Sequence, residues 1–339
     1  MKITIKALLF GAAIAAPSMQ ALAQDEYNEF LRDVDDGKVF IGAYVAPFMK
    51  SVSLGLNQGW YNTAKNHKLF GVDLTVTVSA MGIPEDETVI NVPSLNMQNI
   101  SLEGNATEAP TIFGNDERPN FIFDNGTTPP VTFRGLPGLN LKDNISTNRM
   151  PVPIANLGIG MPKNSELKIR FIPAVDLNGQ GEFKMWGVGV LHDIKQHIPG
   201  IKLMPFDLSA FVGYTKLDME YRSKPSVDIR GENQRSVMEM SSTTIQALIS
   251  KKFAVLTVYG GIGYNIAKSN ISLKGTYDLN DDGDTDDANE NEPLALDFAA
   301  SGARATAGFR LKLAVLTLHA DYTFQKYNAI SAGIGISVR

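Results

Sequence analysis

Three groups of residues in this chain have the types and spacing to do chemistry. The first is the run Asp278, Leu279, Asn280, Asp281, Asp282, Gly283, Asp284, Thr285 and Asp286. Oxygen ligands at Asp278, Asn280 and Asp282 followed by Gly283 match the first half of a calcium loop. Alternate residues converge there on one centre, and the glycine permits the sharp turn. Asp284 and Asp286 would add further oxygens. The twelfth position is Asn289 rather than a bidentate glutamate, with Glu290 one place late. The pattern points to a structural calcium ion in an external loop, against the plainer reading of a solvated acidic loop. The second group is His319 and Asp321. A His–Asp pair serves hydrolases, but no serine is tied to this one by sequence. A polar pair inside the fold is the expected role, and the chain is not expected to be an enzyme. The third group is Arg304, Arg310 and Lys312, which share one alternating face and suggest a charge ladder with Asp321. His192 and His197 are a weaker metal-site candidate.

The elements that must position these residues are strands. In the last forty residues Ala303, Ala305, Ala307, Phe309 and Leu311 alternate with Arg304, Thr306, Gly308, Arg310 and Lys312. Leu316, Leu318, Ala320, Tyr322 and Phe324 alternate with Thr317, His319, Asp321, Thr323 and Gln325. Ile330, Ala332, Ile334, Ile336 and Val338 alternate with Ser331, Gly333, Gly335, Ser337 and Arg339. Period two over nine or more residues, apolar on one face and polar or glycine on the other, is the signature of a membrane-spanning barrel strand. Further strands are predicted at 68–80, 154–161, 166–172, 182–191, 207–221, 236–252 and 254–267. The fold class is therefore all-β: an antiparallel transmembrane β-barrel of ten strands. Strand-like pieces near 87–105, 131–134 and 271–277 could raise the number to twelve or fourteen. Even parity puts long loops at 81–150 and 270–297 outside, with the short turns at the opposite, periplasmic end. On this reading Arg304, Arg310, Lys312, His319 and Asp321 line the lumen. Tyr214, Tyr264, Tyr322, Phe324 and Tyr327 are expected as girdle aromatics.

The start of the chain fits export. Lys2 and Lys6 precede a short apolar core, and Ala21-Leu22-Ala23 offers the small residues of a cleavage site, so 1–23 reads as a signal peptide. Residues 24–57 suggest one or two amphipathic helices that plug the barrel, with Pro47 limiting the second. Gln58-Gly59-Trp60-Tyr61-Asn62 reads as a turn with an interfacial aromatic pair, and 58–339 as the barrel. The chain has no cysteine, which excludes disulfides and a lipid-anchored start. Its formal charge is −5. Loss of two leader lysines would make that −7, which argues against a nucleic-acid partner.

Several runs resemble a family of Gram-negative outer-membrane barrel proteins with no assigned function. They are Asn57-Gln58-Gly59-Trp60-Tyr61-Asn62-Thr63-Ala64-Lys65, Trp186-Gly187-Val188-Gly189-Val190-Leu191-His192-Asp193-Ile194-Lys195-Gln196, Thr244-Ile245-Gln246-Ala247-Leu248-Ile249-Ser250-Lys251-Lys252 and Leu318-His319-Ala320-Asp321-Tyr322-Thr323-Phe324. The resemblance implies a barrel in the cell outer membrane, with membrane lipid as its partner, and implies no activity. A looser likeness, to long-chain fatty acid transporters, rests on barrel size and a pre-barrel segment. The residues themselves point to a porin-like channel or transporter for a small, apolar solute. The alternative is a closed structural or surface-interaction barrel without transport activity.

Overall fold

The computed structural model describes residues 26–338 except 128, 178, 180, 223–230, 280, 281 and 288. The signal-peptide segment 1–23 and the calcium-loop residue Asn280 lie outside the described residues. Helices α1 (Glu26–Leu31) and α2 (Val34–Gly55) are followed by strand β1 (Val72–Gly82). Five short strands come next: β2 (Val89–Asn91), β3 (Ile100–Leu102), β4 (Glu108–Pro110), β5 (Asn120–Phe123) and β6 (Val131–Arg134). A single helical turn, α3 (Leu141–Ile145), leads to the remaining long strands. These are β7 (Arg149–Met161), β8 (Ser165–Asp176), β9 (Gly181–Asp193), β10 (Asp207–Arg222), β11 (Arg235–Phe253), β12 (Leu256–Lys274), β13 (Ala295–Leu313), β14 (Leu316–Phe324) and β15 (Ala329–Val338).

The ten long strands close into one antiparallel barrel, the fold class that the alternation predicts. Closure falls on β1, whose Val72 faces Val338 of β15 on one side and Ile159 of β7 on the other. Side chains alternate across the wall as period two requires. On β12, Val258, Ile262, Tyr264 and Ile266 are exposed outward, whereas Thr257, Tyr259 and Asn265 are buried inward. With Leu74, Val188, Val212, Ile245, Ile334 and their neighbours they form an exposed apolar belt that fits the hydrocarbon layer. Among the described residues no helix is long and apolar enough to cross a membrane.

One end, here the lower, carries the start of β1, the end of β15 and the tight turns. The other, upper end carries the long connections. The stretch 83–148 is an upper loop folded on two small sheets, β2–β4 and β3–β5–β6. The strand-like pieces there extend no barrel. β7 begins at Arg149, five residues before the alternation suggests. Pro151 and Pro153 disguise it, because proline is tolerated only where its missing N–H is not needed. β1 begins at Val72 rather than 68, since Phe70 takes a left-handed φ of 61°.

The largest difference concerns the segment before the barrel. Helix α2 does not stop at Pro47 but runs on to Gly55. A mid-helix proline costs roughly 3 kcal/mol, and burial of Tyr44, Val45, Phe48, Met49 and Val52 inside the barrel offsets it. The chain from Leu56 to Gly71 continues through the lumen as a strap that emerges at the lower end to start β1. Trp60 is 1% exposed, so the interfacial reading of Trp60 and Tyr61 is corrected: both point into the lumen. Their room comes from glycine. A Cβ on Gly213 would stand 2.8 Å from Phe211 Cζ and 2.9 Å from Trp60 Cε2. Gly213→Ala is expected to lower stability by about 1–3 kcal/mol through overpacking, read as a lower denaturant midpoint in detergent-refolded protein. The outward Ala210→Gly, as control, should move the midpoint less.

Candidate functional site

The lumen is the candidate site, and three layers of side chains build it. At the upper end α1 and α2 pack under the folded loop. Phe30 stacks on Phe40 with centroids 4.2 Å apart, and both meet the edge of Phe121 from β5. Asp33 caps α2 by accepting from the Asp35 and Asp36 backbone N–H groups. The Asp36 carboxylate, 5% exposed, accepts from the backbone N–H of Gln98 (2.8 Å), Asn99 (2.6 Å) and Ile100 (2.9 Å). Tyr44 Oη donates to the Pro137 carbonyl at 2.7 Å. The loop is thus tied to the helix beneath it, and acts as its lid.

In the middle layer two buried arginines from opposite walls hold the chain where α2 ends. Arg170 of β8 donates from Nη1 to the Leu56 carbonyl and from Nη2 to the Gln58 carbonyl, each at 2.5 Å. Its Nε reaches Asn156 Oδ1 at 2.6 Å, and its guanidinium lies 3.4 Å from the centre of the Trp60 ring. Arg304 of β13 donates to the Asn57 carbonyl at 2.9 Å and to Gln58 Oε1 at 2.8 Å. The carbonyls of Val52, Leu54 and Gly55 accept from the backbone N–H of Leu56, Asn57 and Gln58, and the carbonyls of residues 56–58 just beyond lie at the negative end of the helix dipole. Two guanidiniums supply both the donors and the charge.

Below this layer the strap passes an aromatic cluster, Trp60, Tyr61, Phe211 and Tyr259. Tyr61 Oη donates to Gln246 Oε1 at 2.5 Å, and Tyr259 Oη to Asp321 Oδ2 at 2.7 Å. His67 Nδ1 and Lys168 Nζ meet the buried Glu166 at 2.9 and 2.6 Å.

Arg304, Arg310, Lys312, His319 and Asp321 all project inward, but they form no common cluster. Asp321 is engaged by Tyr259, whereas His319 Nε2 lies 3.2 Å from Thr77 Oγ1 on β1. The spacing of two along β14 puts them on one face without joining them. The expected ladder with Asp321 is replaced by a contact of Arg310 Nη2 with Asp73 at 3.7 Å. Tyr214, Tyr264, Tyr322 and Phe324 face outward. Tyr327, expected in the girdle, is instead fully buried and hydrogen-bonds Glu87 of the lid. On the acidic loop Asp282 and Asp284 accept from the backbone N–H of Asp284 and Asp286, each at 3.1 Å. Asp278 Oδ2 accepts from Gly283 N, while its buried Oδ1 has no hydrogen-bond partner. Among the described residues no group of three or more His, Asp or Glu side chains gathers around a common metal position. His192 Nε2 and His197 Nε2 lie 3.1 Å apart at the lower end.

Sequence reasoning passes over two features. Arg170 is one; its signal is Glu166, Lys168 and Arg170 alternating with Leu167, Ile169 and Phe171 on β8. The other is an apolar chamber of about 80 Å³ between α2 and the wall. Phe48 and Val52 of the helix line it, with Met150, Met185, Met219 and Met240 of the barrel. It opens toward a break in the wall. β7 and β8 pair from Met161↔Ser165 only as far as Leu157↔Ile169. Above that the edges part, and Pro151, Pro153 and Ile172 from the parted edges also line the chamber.

The lid carries one informative titration. Burial pushes Glu87 up, but hydrogen bonds from Tyr327 and Lys326, with the charges of Lys50 and Lys326, hold it below the ordinary 4.5. A depressed folded value stabilises the lid fully above the ordinary value and less as pH falls through the lowered one. The hydrogen-exchange protection of residues 85–110, relative to the unfolded chain at the same pH, is expected to fall as pH drops through that lowered value, and Glu87→Gln should flatten the dependence. For the clamp, Arg170→Met with Arg304→Met leaves buried carbonyls unpaired at about 1–3 kcal/mol each. The double variant should show conductance steps in planar bilayers where the intact protein is silent.

A model of a family described as of unknown function, DUF6588, matches residues 1–338 of the chain. No curated protein matches. Solved structures similar to it include the translocator domain of the autotransporter NalP from Neisseria meningitidis. That likeness has 12% identity and a TM-score of 0.25, over 86% of this chain and 93% of the other. A mutant of the monoaromatic hydrocarbon channel TodX is 7% identical, with a TM-score of 0.24, over 86% and 70%. The transport unit of the autotransporter AIDA-I from Escherichia coli is 9% identical, with a TM-score of 0.29, over 86% and 99%.

Proposed function

We propose a function for a chain that belongs to the family of unknown function DUF6588: an outer-membrane barrel, plugged along its axis, that takes up a small apolar molecule through its wall. The observation that carries this reading is the apolar chamber behind the parted edges of β7 and β8. The exposed belt supports a lipid surrounding. In that setting the long loops face outward and the tight turns face the periplasm, as in barrels of this class. A solute dissolved in the outer leaflet would reach the chamber without crossing the clamp. Four methionines suit such a chamber, since their unbranched, polarisable side chains repack around differing shapes. No catalytic role is assigned to His319 or Asp321. A structural calcium ion on the acidic loop belongs to the same reading, with the unpaired Asp278 Oδ1 as its first ligand.

The second reading is a closed barrel that acts through its outer face. The folded lid of 83–148, with two small sheets of its own, favours it. Labelling with a small aryl diazirine dissolved in the bilayer separates the two. Adducts on outward residues such as Ile262 and Leu318 would verify insertion in either case. Uptake predicts further adducts on Met150, Met185, Met219 and Met240, and their loss in Val152→Trp, which fills the chamber. Labelling confined to the outward face would overturn the uptake reading and leave the closed barrel.

A further inference from the structure

The lower mouth of the barrel has the opposite chemistry from the apolar chamber. A cavity of about 230 Å³ lies between the strap and the wall there. Among its lining residues are Lys65 and Lys68 of the strap, with Lys252, Arg310 and Lys312 of the barrel; Asp207 is the one carboxylate. Of the nearby acids one is neutralised locally, and the other leaves a single oxygen, Asp73 Oδ2, facing Arg310 Nη2 at 3.7 Å without a hydrogen bond. Glu166 is held by Lys168 and His67, and Asp73 accepts from Thr75 Oγ1 at 2.5 Å. Lining cations thus outnumber lining carboxylates by five to one.

Arg310 is the buried cation of this lining. It is 6% exposed, yet its Nε and Nη2 have no hydrogen-bond partner, and Asp73 at 3.7 Å is beyond hydrogen-bond reach. A buried guanidinium with unused donors is costly unless something accepts from it. Its planar fork matches the oxygens of a phosphate, and lysines add charge without directional demand. Lys312 Nζ, 3.0 Å from Ser337 Oγ, keeps further donors for the same anion.

We propose that this mouth binds a phosphate group, held by Arg310 and Lys312 with Lys65, Lys68 and Lys252 around the rim. The inference is independent of solute uptake at the upper end. Both free phosphate and the headgroup of an anionic lipid present this chemistry.

The test uses the full chain refolded in neutral detergent and titrated with inorganic phosphate at constant ionic strength, with chloride as reference. Unfolding temperature and calorimetry are the readouts. A saturable rise with phosphate is expected, with affinity falling about tenfold or more in Arg310→Lys, a loss of roughly 1.4 kcal/mol. Arg310 is buried and its variant could fail to fold, so Lys252→Gln at the exposed rim is measured beside it and should also weaken binding. Lys216→Gln, on the outer face at the upper end, should not. If free phosphate is silent but nanodiscs with phosphatidylglycerol stabilise the protein over phosphatidylcholine, dependent on Lys252, the site takes a lipid headgroup. A rise that is equal in chloride, or equal in Lys252→Gln and wild type for both sources, overturns the proposal.

Discussion

The rest of this structure depends on how two buried positive charges are satisfied. Arg170 and Arg304 stand on opposite walls, and neither has a carboxylate as its hydrogen-bonding partner among the contacts described. Removing a lone charge from water costs several kcal/mol even after relaxation. Here the cost is met by main-chain carbonyls of residues 56–58, at the negative end of a 22-residue helix. The relation is reciprocal, because the arginines supply donors to those buried carbonyls, joined at Leu56 by Thr215 Oγ1. The barrel therefore needs its plug to bury its arginines, and the plug takes from the barrel the donors for its chain just past the helix.

That mutual need explains the distribution of size along the wall. The inward faces of β9, β10 and β12 carry Gly187, Gly189, Gly213, Gly261 and Gly263, and the strap opposite them carries Trp60 and Tyr61. A Cβ on Gly189 would lie 2.9 Å from Phe211 and 3.2 Å from Trp60. Above the clamp the inward faces change to Met, Leu, Ile and Val, and the filler is the apolar face of α2. Just below it Trp60 and Tyr61 of the strap pack on Phe211 and Tyr259, and only toward the lower mouth does the lining turn to Thr, Ser and charged residues. The lumen thus runs from an apolar upper part through the guanidinium layer and an aromatic cluster to a polar, cationic lower mouth.

Much of this was legible in the sequence. The wall could be read because a strand with unlike surroundings must alternate, and β12 to β15 do so for nine residues or more. The inward placement of Arg304, Arg310, Lys312, His319 and Asp321 followed from the same period. What they face did not follow, because their neighbours come from strands far away in sequence, such as Thr77 for His319 and Asp73 for Arg310. The strap is ambiguous in the sequence for a physical reason: a Trp–Tyr pair suits a lipid interface and a crowded lumen equally well. The run of inward glycines was the available clue, since a ten-stranded wall without side chains requires something large within. β7 was shortened by Pro151 and Pro153, whose presence marks the edge that has no partner.

Magnitudes separate the two routes through such a barrel. Motion along the axis would break four hydrogen bonds from the two guanidiniums to residues 56–58. Hydrogen bonds to charged groups contribute roughly 1.5–3 kcal/mol each, so the clamp alone resists by about 6–12 kcal/mol. Every 1.4 kcal/mol is a factor of ten, which makes spontaneous unplugging rare. A path between β7 and β8 breaks no ladder bond above Leu157, because none joins the strands there. It needs only that methionine side chains change rotamer around a chamber already formed. On the uptake reading, axial opening would demand a partner that competes for the arginines, whereas lateral entry would demand only an apolar solute in the surrounding lipid.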